Sequence, residues 1–278
     1  MQTLKNNPKI SSLLYLVTSI ESLFLLIVGG GILFFPSVIR PLWPWSLAPF
    51  NALLLGAIYT SSLVATAIVV YVKRWAPTRL VLPMIFIFTA IILVVCLIYF
   101  DRFDFQYWGT WVWFFLYIII PVNSAYHMWL YRNQKPVDPA PLPAFWRDVI
   151  LIPSILLGLY GIGLLIAPDS FSSFWPWQID DFHSRMYSVL YITPAIGALL
   201  LFRAAASIEL LTIGLTQIVG SSATILGIVI IDNQLEKIEW SAFGTWLWIS
   251  SFVIILLTGI GLVWQSRARS RSKIPSAT

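Results

Sequence analysis

Few residues in this chain could do chemistry, so their surroundings weigh more than their number. An ionisable group inside a long apolar run is costly, and such groups usually sit there for a task. Glu21 lies in the run from Ser12 to Phe35, and Asn123 and His127 lie in the run from Gly109 to Tyr131. Asn123 and His127 are four residues apart and share one helix face. Pro121 precedes them and frees a backbone carbonyl nearby. Glu21, Asn123 and His127 could relay a proton or hold a polar headgroup. An interhelical hydrogen bond is the structural alternative.

A second constellation lies between the apolar runs. Trp43-Pro44-Trp45 and Trp175-Pro176-Trp177 are the same unusual tripeptide, each set beside a long hydrophobic segment. Asp101 and Asp232 occupy matching positions at the ends of two further runs, and Arg185 opens another. One arrangement open to these residues is a candidate outer vestibule with aromatic walls, in which Arg185 pairs with one of these aspartates. Aromatic rings with a few acidic groups suit a lipophilic or cationic ligand. The other reading is an interfacial tryptophan belt with solvated charges.

The sequence lacks most of the material for an enzyme. It has two histidines and one cysteine, Cys96, which rules out an intrachain disulfide and a cysteine-based metal site. No metal-protease helix, nucleophile elbow or phosphate loop occurs. Gly29-Gly30-Gly31 has no Lys-Ser/Thr after it and suits close helix packing instead. No cofactor and no catalytic role is expected.

The elements that must position these residues follow from composition. The 278-residue chain is 59% hydrophobic and 10% charged, with a mean hydropathy of +0.84. A soluble surface of that makeup would be apolar, and a bilayer removes the contradiction. Eight segments reach spanning length, near residues 12–35, 51–72, 81–100, 109–131, 149–167, 185–203, 209–231 and 242–264. Between the sixth and seventh, "FRAAASIE" is the only break and demands a tight helical hairpin.

The net charge of +5 does not point to nucleic acid, because the basic residues sit in short loops and tails. Of the 17 Lys and Arg residues, only Arg40, Arg102, Arg185 and Lys237 fall on the side away from the termini. Lys5, Lys9, Arg271 and Lys273 are among the others. This bias places both termini in the cytoplasm, with the chain multi-pass in the plasma (inner) membrane. Trp75, Trp129, Trp146 and Trp264 lie on the cytoplasmic side, and the rest of the 14 tryptophans lie outside.

The tripeptide also marks a repeat. With Gly29 set against Gly161, the register holds for about 40 residues and pairs Pro36 with Pro168, Phe50 with Phe182 and Tyr59 with Tyr191. Further on, "WGTWVWF" matches "FGTWLWI". Four spans per copy is an even number, so the copies should be parallel, related by a pseudo-two-fold axis along the membrane normal.

The expected fold is therefore an all-α integral membrane protein of eight transmembrane helices in two tandem four-helix repeats. The repeats cover 1–134 and 149–264, with a Pro-rich cytoplasmic linker at 135–148 and a basic tail at 265–278. Two functions fit. One is binding or carrying a small lipophilic or lipid-like molecule between the repeats, as in a transporter. The other is a non-catalytic scaffold or assembly subunit that docks another membrane subunit. The lipid bilayer is a partner in either case.

Overall fold

The structure is a computed structural model and describes residues 7–138 and 140–271, with Arg271 described by its backbone alone. Lys5 and Lys273, two of the basic residues that set the expected orientation, lie outside the described residues, as does Pro139 of the linker.

Eight long helices account for the expected spans. They are α1 (Ser12–Phe34), α2 (Pro49–Val72), α3 (Trp75–Ile98), α4 (Trp108–Leu130), α5 (Ala144–Ile166), α6 (Asp181–Arg203), α7 (Ser207–Leu235) and α8 (Phe243–Arg271). All eight are long and apolar enough to cross a bilayer, which marks a multi-pass membrane protein. Among the described residues there is no strand, only an isolated bridge between Lys9 and Arg74.

Local chemistry explains several helix ends. Ser11 caps α1 by accepting the Leu14 N–H at 3.1 Å, and Pro49 starts α2 where a missing N–H costs nothing. Asp180 caps α6 by accepting the His183 N–H at 2.9 Å. That helix breaks at Ser188, between Asp181–Tyr187 and Val189–Arg203.

Several helices run further than hydropathy indicates, α5 beginning at Ala144 inside the stretch expected as linker, and α3 and α8 overrun the most. α3 begins six residues early, at Trp75, and so carries Arg79 in its second turn. α8 continues through Arg271 into the stretch expected as a tail. There Ser266 donates to the Ser207 carbonyl at 2.7 Å and Arg269 to the Ala205 carbonyl at 2.6 Å. Those bonds hold α8 against the α6–α7 turn, which consists of Ala204, Ala205 and Ala206.

The packing is pairwise. α1 lies on α2, α3 on α4, α5 on α6 and α7 on α8. The first four helices meet the last four through α2 on α7 and α3 on α6. Small residues permit the closest approaches. A Cβ on Gly29 would fall 2.8 Å from the Tyr59 Cβ, and one on Gly161 would fall 2.9 Å from the Tyr191 Cβ. Only glycine lets α1 and α5 lie that near their neighbours. The largest core cluster includes all four of Trp43, Trp113, Trp175 and Trp177.

Candidate functional site

The Trp-Pro-Trp segments turn inward and cross between the two halves. Trp45 donates its indole N–H to His183 Nε2 at 3.3 Å, and Trp177 donates its own to Asn51 Oδ1 at 3.0 Å. The Trp45 ring meets Phe182 edge-on at 5.2 Å, and the Trp177 ring stacks on Phe50 at 5.0 Å. Each residue of the first contact stands 132 positions from its counterpart in the second. Trp43 and Trp175 sit behind them, edge-on to Trp113 at 5.3 Å and to Trp248 at 5.4 Å.

This packing fills the space between the two tripeptides where the candidate vestibule would lie. Trp43, Trp175 and Trp177 are each under a tenth exposed. Beneath Trp45 only a void of about 20 Å³ is left, lined in part by Trp113, Tyr117 and His183. Ring-on-ring packing carries most of this plug, since the Trp43 and Trp175 indole N–H groups are buried without an acceptor, while those of Trp45 and Trp177 each find one. The starts of α2 and α6 supply one each, in Asn51 and His183. Trp108, Trp111 and Trp246, by contrast, are exposed as a membrane-surface belt would be.

The charges form neither the candidate pair of Arg185 with Asp101 or Asp232 nor a uniformly solvated set. Arg185 donates to the Leu165 carbonyl at 2.9 Å. Asp232 is buried and accepts from the Lys237 and Ile238 N–H groups and from Trp240 Nε1, at 2.8, 2.9 and 2.7 Å. It closes the turn after α7. Asp101 is exposed.

At this end of the bundle the Arg102–Asp180 ion pair joins the halves, and Asp180 also accepts from His183 Nδ1 at 2.6 Å. Burial pushes the Asp180 carboxyl up, but hydrogen bonds from His183 and Arg102 outweigh it and hold the carboxyl well below the usual carboxylate range. An ionised Asp180 accepts only, so Nδ1 carries the imidazole proton and Nε2 is left to accept from Trp45.

Substitutions at 183 test this bond. His183→Leu should cost about 1–3 kcal/mol, because the Trp45 N–H loses its acceptor. His183→Asn should recover most of that, since an Asn at the matching position, Asn51, already accepts from Trp177. Thermal unfolding in detergent would read both. Equal losses would mean that acceptor chemistry is not what matters at this position.

At the opposite end, His127 is fully buried and fully partnered. Its Nδ1 bonds the Asn123 carbonyl at 2.9 Å and its Nε2 bonds Ser11 Oγ at 2.7 Å. A carbonyl only accepts, so Nδ1 donates and Nε2 receives the Ser11 hydroxyl proton. His127 therefore braces the start of α1. The structure does not join Glu21 to Asn123 and His127 in one hydrogen-bonded group, because both His127 nitrogens are already committed. The Asn123 Oδ1 is buried without a hydrogen bond.

Glu21 lines a cavity of about 150 Å³ near the middle of the bundle. Phe24 and Leu25 join it from α1, Tyr59, Ser61, Ser62 and Thr66 from α2, Met84, Phe88 and Thr89 from α3, and Tyr117 from α4. The other half contributes Val189, Leu190, Thr193 and Pro194 from α6 and Thr216 from α7. Tyr59 and Tyr117 hydrogen-bond each other through their hydroxyls at 3.1 Å.

A second void of about 80 Å³ lies alongside, between the halves, sharing Ile58, Ser61, Met84, Leu190, Pro194 and Thr216. Two buried polar atoms face these spaces without a hydrogen bond, Thr193 Oγ1 and Gln217 Oε1. No family model, no curated protein and no solved structure matches the chain. What the site can do must therefore be read from its own geometry.

Sequence reasoning singled out Glu21 but missed Tyr117 and Thr89 as its neighbours. The available signal was two tyrosines, Tyr59 and Tyr117, deep in apolar runs, where each hydroxyl needs a partner. It also missed the Arg79–Glu209 ion pair, whose partners stand 130 residues apart. Among the described residues, no group of three or more His, Cys, Asp or Glu side chains converges as a metal site would require.

Proposed function

We propose that this protein binds a small lipophilic molecule within the membrane, in the cavity between its two halves, and acts as a carrier without catalysing a reaction. The observation that supports this is the cavity of about 150 Å³ with its adjoining void of about 80 Å³. Small-molecule sites are mostly apolar clefts with a few polar groups, and they favour the interface between structural units. The lining has that character, with Glu21, two tyrosine hydroxyls and several Ser/Thr hydroxyls set among apolar side chains.

The halves, residues 1–134 and 149–264, are read as parallel repeats about an axis along the membrane normal. Support comes from contacts that recur 132 positions apart: Gly29 on Tyr59 and Gly161 on Tyr191, then Trp45 on His183 and Trp177 on Asn51. The pairings of α2 with α7 and α3 with α6 are the ones a two-fold axis would exchange. The basic-residue bias supports cytoplasmic termini in the plasma membrane, with the Trp-Pro-Trp loops outside.

A cavity-filling variant tests the binding reading. Ser61 borders both voids, so Ser61→Phe should abolish retention of a small lipophilic molecule in native mass spectrometry from mild detergent. Equal retention by wild type and variant would place the molecule elsewhere. An empty cavity in a chain purifying with a stoichiometric second subunit would favour the scaffold reading instead.

A further inference from the structure

The cavity has one ionisable carboxyl and, among the described residues, no cation to balance it. Among the described residues, Glu21 has neither an ion-pair partner nor a hydrogen bond. The hydroxyls nearby are mostly committed. Thr66, Thr89 and Thr216 donate to carbonyls of their own helices, and Tyr59 and Tyr117 bond each other.

The titratable groups facing Glu21 are Tyr59 from α2 and Tyr117 from α4, with Cys96 of α3 behind them, bonded to Trp113. From α6 and α7 only Val189, Leu190, Thr193, Pro194 and Thr216 reach the cavity. None of these groups is a cation.

A bare carboxylate in such surroundings is costly, and two states relieve the cost. In one, Glu21 holds a proton. In the other it is ionised and faces a cation from outside the chain. A divalent metal ion is a poor fit, since it needs several oxygen ligands and the wall has a single carboxylate. An organic ammonium fits better. Its alkyl groups suit the apolar wall, and the rings of Phe24, Tyr59, Phe88 and Tyr117 can face its charge. The cavity of about 150 Å³ and the adjoining void of about 80 Å³ together take a six-membered ring that carries a small ammonium group.

Resting on the reading of this cavity as the binding site, we infer that its ligand is a small lipophilic ammonium ion that exchanges with a proton on Glu21. The balance is one for one. The protonated carboxyl releases its proton as the ammonium enters, and the carboxylate then pairs with the ammonium charge. No bond other than the O–H is broken. Binding should therefore tighten as pH rises, until Glu21 is ionised in the free protein.

The test compares benzyltrimethylammonium with its neutral carbon isostere, neopentylbenzene, by calorimetry on the full-length protein in detergent. The cation should bind at least tenfold more tightly than the isostere, with a buffer-dependent enthalpy that reports proton release. Glu21→Gln should lose that preference and the proton release while still taking the isostere.

If wild type binds the isostere as tightly as the cation and releases no proton, the ammonium inference falls and the cavity reading survives. If wild type binds neither probe, the cavity reading fails as well. The wild-type comparison needs no variant, so a Glu21→Gln protein that fails to fold leaves the test intact.

Discussion

Glu209→Ala should destabilise the protein by about 3–5 kcal/mol, the usual consequence of stranding one charge of a buried pair. The Glu209 side chain is almost wholly buried and that of Arg79 nearly so. Arg79 binds the carboxylate through both Nε at 2.8 Å and Nη2 at 2.9 Å, the two-pronged geometry that suits a guanidinium. Its Nη2 also bonds the Ala204 carbonyl at 2.8 Å, while Glu209 accepts the Ala206 N–H at 2.9 Å.

One ion pair thus ties α3 of the first half to the α6–α7 turn of the second. Arg79→Ala should cost a similar amount. The double variant Arg79→Met/Glu209→Leu should regain much of the loss, because it leaves no unpaired charge. Thermal unfolding in detergent would measure all three. Single variants within about 1 kcal/mol of wild type would show that water reaches the pair and screens it.

Trp177→Ala should also cost about 3–5 kcal/mol, as expected for deleting a buried large aromatic ring. The ring stacks on Phe50, meets Trp175 at 5.6 Å and Trp248 at 5.5 Å, and spans the contact between halves. Trp45→Ala should cost less, because Trp45 is partly exposed.

Trp177→Phe separates ring from hydrogen bond. It keeps most of the stack but leaves Asn51 Oδ1 without its donor, for a loss of about 1–3 kcal/mol. The same unfolding measurement reads these variants. If Trp177→Phe costs as much as Trp177→Ala, the hydrogen bond to Asn51 and not the ring packing holds the loop.

The eight helices were legible because spanning runs follow from composition over about 20 residues, and no tertiary contact is needed to see them. The ends were less so. α3 starts at Trp75 and α8 runs to Arg271 because Arg79 and Arg269 find buried or carbonyl partners across the fold. Hydropathy counts such arginines as breaks. Glu21 stood out as an isolated carboxyl in an apolar run, while the cavity around it needed side chains from six helices.

Residue types and order alone were enough for a membrane-embedded, all-helical chain, for its sparse polar groups and for the recurrence of Trp-Pro-Trp. The fold had to show where those tryptophans point. A pattern of spans constrains each segment along its own axis. Whether Trp177 faces lipid or Asn51, and whether His127 serves Glu21 or Ser11, depends on helix rotation and on which buried donor reaches which acceptor. Those are relations between segments far apart in the chain, set by how the helices and rings pack and by which buried donors that packing brings to acceptors away from water.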